Sequence, residues 1–230
     1  MSVELESAKR LSALKSKADT VTGETSDTLA DAVDTLIAGF GQGGGGSDET
    51  KAIIEGTLAE FKNDEVTKIK NYIFYKNTAI TSAESGSVKN IDEYAFQQCT
   101  NLKKISFPNI ESIGNYAFLG CSALTEVADM TLIHHTWYQC FDGAGLTEFP
   151  YMPNLKYIMN SFSNCLGLTK VCVHSTVMKE ILNKSFNGCT NLTDIYVPWA
   201  EGAIGNAPWG ATNATIHYNT VYDENHEPIV

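Results

Sequence analysis

"SIGNYAFLGCSALTEVAD", residues 112–129, sets a small residue, a phenylalanine, a cysteine and a leucine in fixed order ahead of a short alternating run. "NIDEYAFQQCTNLKKISF" (90–107) and "EILNKSFNGCTNLTDIYV" (180–197) follow the same scheme. Anchored on Phe74, Phe96, Phe118, Phe141, Phe162 and Phe186, it occurs six times, at spacings of 22, 22, 23, 21 and 24 residues. Self-similarity at such a period marks a solenoid, because one unit cannot bury its apolar edge alone and must stack on its neighbours.

The columns of this repeat predict the core. Six residues after the anchor stand Ile80, Leu102, Leu124, Leu168 and Leu192, with Leu146 one residue early because the fourth repeat is short. Nine after stand Ala83, Ile105, Val127, Val171 and Ile195, with Phe149 one early. Five before stand Ile69, Ile91, Ile113, Thr136, Tyr157 and Ile181. The residue just before the anchor is small in most repeats (Ala95, Ala117, Cys140, Ser161, Ser185), as close packing on a neighbouring turn requires.

Segments such as "KISF", "EVAD", "KVCV" and "DIYV" alternate polar or small with apolar residues, which predicts one short strand per repeat. The fold class expected is a repeat solenoid, leucine-rich-repeat-like, with one short parallel strand per turn and turns or short helical pieces opposite. Leu58 and Phe61 lie 22 residues before Ile80 and Ala83. "TLAEF" reads as the strand of a half-repeat or, since Ile54, Leu58 and Phe61 also fit helical spacing, as a helix, and a helix that runs into a strand is the favoured reading.

The run "YAFxxCxxL" followed by a strand resembles the BspA-type leucine-rich repeats of bacterial surface proteins and of virion proteins of phages that infect gut bacteria. The resemblance covers roughly residues 58–199, and "LIHHTWYQCFDGAGL" in the fourth repeat departs from it most. The front segment "LADAVDTLIAGFGQGGGG" and the closing segment 197–220 further resemble parts of phage tail proteins. The resemblance implies a virion tail or tail-fibre component that binds the bacterial surface. The alternative is a bacterial cell-surface adhesin or a protein-binding repeat scaffold.

The expected organisation is a helical attachment segment (1–40), a Gly-rich linker (41–47), the solenoid (48–199, a half-repeat cap plus six repeats) and a C-terminal cap and tail (200–230). Leu29, Val33, Leu36 and Ile37 line one face of a helix in the first segment, which suits self-association, a trimer being favoured, or attachment to other tail proteins. Trp199 and Trp209 can cover the last turn, "ATIHY" can add a final strand, and "DENHEPIV" is expected to fray.

The formal net charge of -11 argues against nucleic acid, since the 16 lysines and arginines are scattered among 27 acids. No run of 18 apolar residues is long enough to span a membrane, and the start has no signal-peptide pattern. A virion made in the host cytoplasm is the expected setting.

Cys99, Cys121, Cys165 and Cys189 each follow their anchor by three residues, which reads as a small apolar core column rather than as disulfides or metal ligands. Only Cys172 is expected to be reachable. His134 and His135 are adjacent and point to opposite faces, so they do not chelate together. No nucleophile elbow, phosphate loop or H-E-x-x-H is present, and no catalytic residue, metal or cofactor is expected.

Recognition is expected on the outward strand positions Lys104, Glu126, Glu148, Lys170, Asp194 and Tyr196, and on the divergent aromatic cluster His134, Trp137 and Tyr138. The ligand expected is a host-surface glycan or protein.

Overall fold

The computed structural model describes residues 52–53 and 56–229; the segment 1–40 expected to be helical and the expected linker 41–47 lie outside the described residues. Two rows of very short parallel strands run along the solenoid. The first row contains β1 (Glu60–Lys62), β3 (Ser82–Glu84), β5 (Lys104–Ser106) and β7 (Glu126–Val127), then β10 (Lys170–Cys172), β12 (Asp194–Tyr196) and β13 (Thr215–His217). The second contains β2 (Lys68–Ile69), β4 (Asn90–Ile91) and β6 (Ser112–Ile113) and, after a break in the pairing, β8 (His135–Thr136), β9 (Tyr157–Ile158) and β11 (Glu180–Ile181).

The expectation of one strand per repeat is therefore corrected to two. The column five residues before the anchor is itself a strand column, but each of these strands is two residues long, too short to show a period of two. The anchor segment opposite is built of turns rather than helical pieces.

Register follows the repeat. Phe61 pairs with Ala83 and Ala83 with Ile105, all inward, while Ile69, Ile91 and Ile113 align in the second row. One column needs correction: Ile158, not Tyr157, aligns with Thr136 and Ile181. The fifth repeat is short on that side, so the inward residue lies four before Phe162 and Tyr157 turns outward.

The anchors stack face to face through the core. Ring centroids are 4.7 Å apart for Phe74 and Phe96, 5.1 Å for Phe96 and Phe118, 5.2 Å for Phe118 and Phe141, 5.4 Å for Phe141 and Phe162, and 5.9 Å for Phe162 and Phe186. Phe61, on the capping strand β1, meets Phe74 edge-on at 5.3 Å. At the other end Trp209 is fully buried, and its Nε1–H donates to the Gly205 carbonyl at 2.7 Å, while β13 pairs with β12.

The cysteine column does more than fill space. Cys99 Sγ donates to Phe74 O (2.9 Å), Cys121 to Phe96 O (3.1 Å), Cys165 to Phe141 O (3.1 Å) and Cys189 to Phe162 O (3.0 Å). Each thiol thus bonds the anchor carbonyl of the turn before it. Burial pushes the thiol pKa up to about 12 at Cys99 and Cys140 and about 11 at Cys172 and Cys189. All six cysteines are free and buried, including Cys172 at 9% exposure, which corrects its expected reachability. At pH 8 the five thiols at 0–4% exposure are accordingly expected not to react on the time scale of a thiol-exchange titration, Cys172 at the cleft only slowly, and all six after denaturation.

The tail is not frayed. Val221–Tyr222 (β14) and Pro228–Ile229 (β15) form an antiparallel hairpin, closed by Asp223 Oδ1, which accepts from the backbone N–H of Asn225 (2.8 Å) and Glu227 (2.9 Å). The Tyr222 hydroxyl reaches the carbonyls of Val173 (3.0 Å) and Tyr196 (2.9 Å), docking the hairpin on the first-row face. A composition of charged and small polar residues gave no sign of this, because the partners lie 26 and 49 residues away, about one and two repeats.

Candidate functional site

The first row of strands is interrupted once. Between β7 and β10 the fourth repeat supplies "TEFP" (147–150) where its neighbours supply a strand. Pro150 has no N–H to give to a ladder, and the repeat is one residue short there, so its groups do not fall opposite those of the adjoining turns. Among the described residues, no main-chain hydrogen bond joins 147–149 to the turns on either side.

The interruption opens a cleft of about 830 Å³ on this face. One wall is β7 and its continuation, Thr125 to Asp129; the floor is Thr147 to Tyr151; the other wall is β10 with His174, and the tail hairpin overhangs it through Asn225, His226 and Glu227. Phe149 and Tyr151 are partly exposed within it.

Four of the nine residues expected to recognise a ligand meet here: Lys104, Glu126, Glu148 and Lys170. Lys104 Nζ is paired with Glu84 at 2.8 Å, which raises the lysine pKa and lowers that of the carboxyl. Lys170 is paired with Glu227 of the tail, which likewise raises its pKa.

Asp194 and Tyr196 lie further along the same face and outside the cleft. Asp194 accepts from His217 Nε2 at 2.7 Å, which lowers the carboxyl pKa, and Tyr196 stacks on the His217 ring at 4.2 Å. The Asp194 carboxylate and the Tyr196 ring are thus engaged within the cap.

His134, Trp137 and Tyr138 belong to the second row, around β8, and line no part of the cleft. Trp137 is 42% and Tyr138 43% exposed. Each still has a ring partner. Trp137 stacks with His135 at 5.4 Å, which stacks with Tyr157 at 4.7 Å, and Tyr138 ends a column of tyrosines, Tyr72, Tyr94 and Tyr116, spaced 4.9, 4.8 and 5.6 Å. The sequence expectation of two recognition patches thus resolves into two separate surfaces.

Sequence reasoning missed Tyr151, His174, His226 and Glu227. The available signal was Pro150 in a strand column. The tail residues carried none, since nothing in a repeat pattern locates a segment that lies outside it.

His174 ties tail to cleft. Its Nε2–H donates to the His226 carbonyl at 2.9 Å, its ring lies 4.3 Å from Tyr222, and the His226 ring stacks on Tyr151 at 4.0 Å. Burial lowers the His174 pKa below 6.5; His226 beside it adds to that direction, while the His226 carbonyl, Glu227 and the Cys172 backbone oppose it. With the folded pKa depressed, the unfolded or undocked imidazole binds more protons. The stabilisation is complete above pH 6.5 and diminishes as pH falls below it. Amide exchange across 221–229 is expected to accelerate between pH 7 and pH 5, after correction for intrinsic rates, in the native chain and not in His174→Phe.

A family model described as "BspA type Leucine rich repeat region (6 copies)" matches residues 57–161 and 138–214. Among solved structures, the Treponema pallidum leucine-rich repeat protein is 23% identical, covering 67% of this chain and 63% of that one, with a TM-score of 0.42. A leucine-rich cell surface protein of Faecalibacterium prausnitzii A2-165 is 21% identical (70% and 48% covered, TM-score 0.35). A leucine-rich repeat protein of Bacteroides ovatus ATCC 8483 is 17% identical (70% and 61%, TM-score 0.36). The chain spans about half to just under two thirds of the length of these structures. Comparison with curated proteins returned no match.

Proposed function

Because the chain belongs to the BspA-type leucine-rich repeat family, we propose that it is a non-enzymatic recognition scaffold whose first-row strand face holds the binding site, centred on the cleft of the fourth repeat. The single observation that supports this most is the interruption itself. The second row is also unpaired between β6 and β8, but the break on the first-row face is lined by a concave cleft with main-chain groups left open, which is what a binding site needs.

The setting proposed is a cell surface, with the protein acting as an adhesin or protein-binding scaffold. Attachment to a phage tail through residues 1–47 is a second reading, supported by the helix-forming pattern and glycine tether of that segment and by its resemblance to tail proteins. Light scattering on the full chain separates them in part: a trimer supports tail attachment, and a monomer removes the oligomerising role of the front segment.

The site itself is tested by filling it. Ala128 lies on the cleft wall, in the outward column where Tyr196 shows that an aromatic is tolerated. Fluorescently labelled full chain is expected to bind a panel of bacterial and epithelial cell surfaces saturably. Ala128→Trp, with an unchanged circular dichroism spectrum, is expected to abolish that binding. Equal binding by the variant would remove the cleft from the site.

A further inference from the structure

We infer that the cleft takes an extended polypeptide segment bearing lysine or arginine side chains; this deepens the reading above and rests on it. The charged groups lining the cleft are Lys104 and Lys170 against Glu126, Asp129, Glu148 and Glu227, two positive and four negative, net -2. Both lysines are already neutralised within the protein, Lys104 by Glu84 outside the cleft and Lys170 by Glu227. What remains for a ligand is Glu126, Asp129 and Glu148, each exposed and none in an ion pair among the described residues, although Glu126 stands beside Lys104 in register.

Glu126 and Glu148 stand on adjacent turns in the outward column, Glu148 one residue early, and both line the cleft. Like charges so placed repel, and a cation between them relieves that repulsion. Elsewhere in this column a lysine or a neutral residue separates the acids: Glu60, Ser82, Lys104 and Glu126 follow one another in register, as do Lys170 and Asp194 beyond the break. The pair of adjacent acids falls only where the ladder is broken and the cleft opens.

The main chain indicates the form of the ligand. Residues 147–149 and the facing edges of β7 and β10 carry no main-chain hydrogen bond across the break, so an extended peptide can add its own backbone there, with Thr125, Thr147 and Thr169 hydroxyls alongside. Phe149, partly exposed in the cleft, offers apolar surface to the long alkyl stems that lysine and arginine bring with their charge. A group of three metal-ligating side chains is absent among the described residues, which favours an organic cation over a metal ion at these carboxylates. An anionic ligand finds no free positive group in the cleft.

The probe is a fluorescein-labelled seven-residue peptide alternating threonine and lysine, titrated with the full chain by fluorescence anisotropy. It is expected to bind, and to weaken by about tenfold or more between about 0.1 M and about 1 M salt, as the screening length falls from about 10 Å to about 3 Å. The double variant Glu126→Gln, Glu148→Gln is expected to weaken it by about tenfold as well, a loss comparable to that of close charge pairs at interfaces. The same peptide with glutamate for lysine, and cellohexaose as a neutral glycan, are expected not to compete.

Competition by cellohexaose, or binding unmoved by the double variant, overturns the inference. If the double variant binds the lysine peptide normally but Ala128→Trp does not, the charge argument falls and the cleft stands as the site. If Ala128→Trp changes neither peptide nor cell-surface binding, both readings fall together.

Discussion

Phe118→Ala is expected to cost about 3–5 kcal/mol in a urea unfolding experiment. The ring has no exposed surface and lies face to face with Phe96 at 5.1 Å and Phe141 at 5.2 Å. Its removal deletes transfer free energy and leaves a void that cannot close. The rings on either side are held in place by their own neighbours, Phe74 and Phe162, and the backbone spacing is set by the strand rows.

Each turn of a solenoid touches only the turns beside it, so stability is a sum of nearest-neighbour interfaces. Phe118 belongs to two of them at the middle of the stack. Its loss is expected to broaden the transition as well as shift its midpoint, because the two halves become less coupled. Phe61→Ala, on the capping strand, removes a ring with one anchor neighbour and is expected to cost less. A loss below about 1 kcal/mol for Phe118→Ala would show that the aromatic ladder is not what holds the stack.

Gly145→Ala is expected to destabilise by about 2–4 kcal/mol, a large effect for one methyl group. A Cβ built there meets Ser122 O at 2.3 Å and Ser122 C at 3.0 Å, backbone atoms of the preceding turn. Gly145 N–H also donates to Cys121 O at 3.1 Å, so neither strand of chain can move aside without breaking that bond. The two turns must separate, and the anchor stack between them with it.

Gly205→Ala is the control: nothing lies within 4 Å of its added Cβ, and it is expected to change stability by less than about 0.5 kcal/mol. Gly145 stands just before 147–150, so its substitution is also expected to distort the cleft floor. A variant that unfolds less readily than the control would remove the steric argument.

How far the sequence carried the fold can be judged at particular residues. The inward columns Ile80 to Leu192 and the anchors Phe74 to Phe186 were legible, and all are buried. For "TLAEF" the sequence left strand and helix open, and β1 takes only its last two residues, Glu60 and Phe61, with Lys62. The second strand row was not legible, since its two-residue strands have no internal periodicity, and Tyr157 was assigned inward because a one-residue shortening cannot be located by counting from one side only.

The candidate site was half legible. Lys104, Glu126, Glu148 and Lys170 were readable as an outward column, but that two of them are neutralised, by Glu84 and Glu227, depends on side-chain reach and on the tail. Trp137 and Tyr138 stood out by composition and lie on a different surface, because composition reports that a repeat differs and not which way its residues face.

By itself the sequence determined the solenoid: at each period an inward residue meets its own counterpart on the next turn, so the contacts that make the core are written as a repeat. Tertiary structure alone decided the cleft and its cover. The break at 147–150 becomes a cavity only when the turns on either side are held in register around it. The hairpin 221–229 finds Lys170, His174 and Tyr196 at separations of 26 to 57 residues. Those contacts occur once each, and a contact that does not repeat leaves no periodic trace in the chain; it is set by where the stacked turns happen to bring the tail.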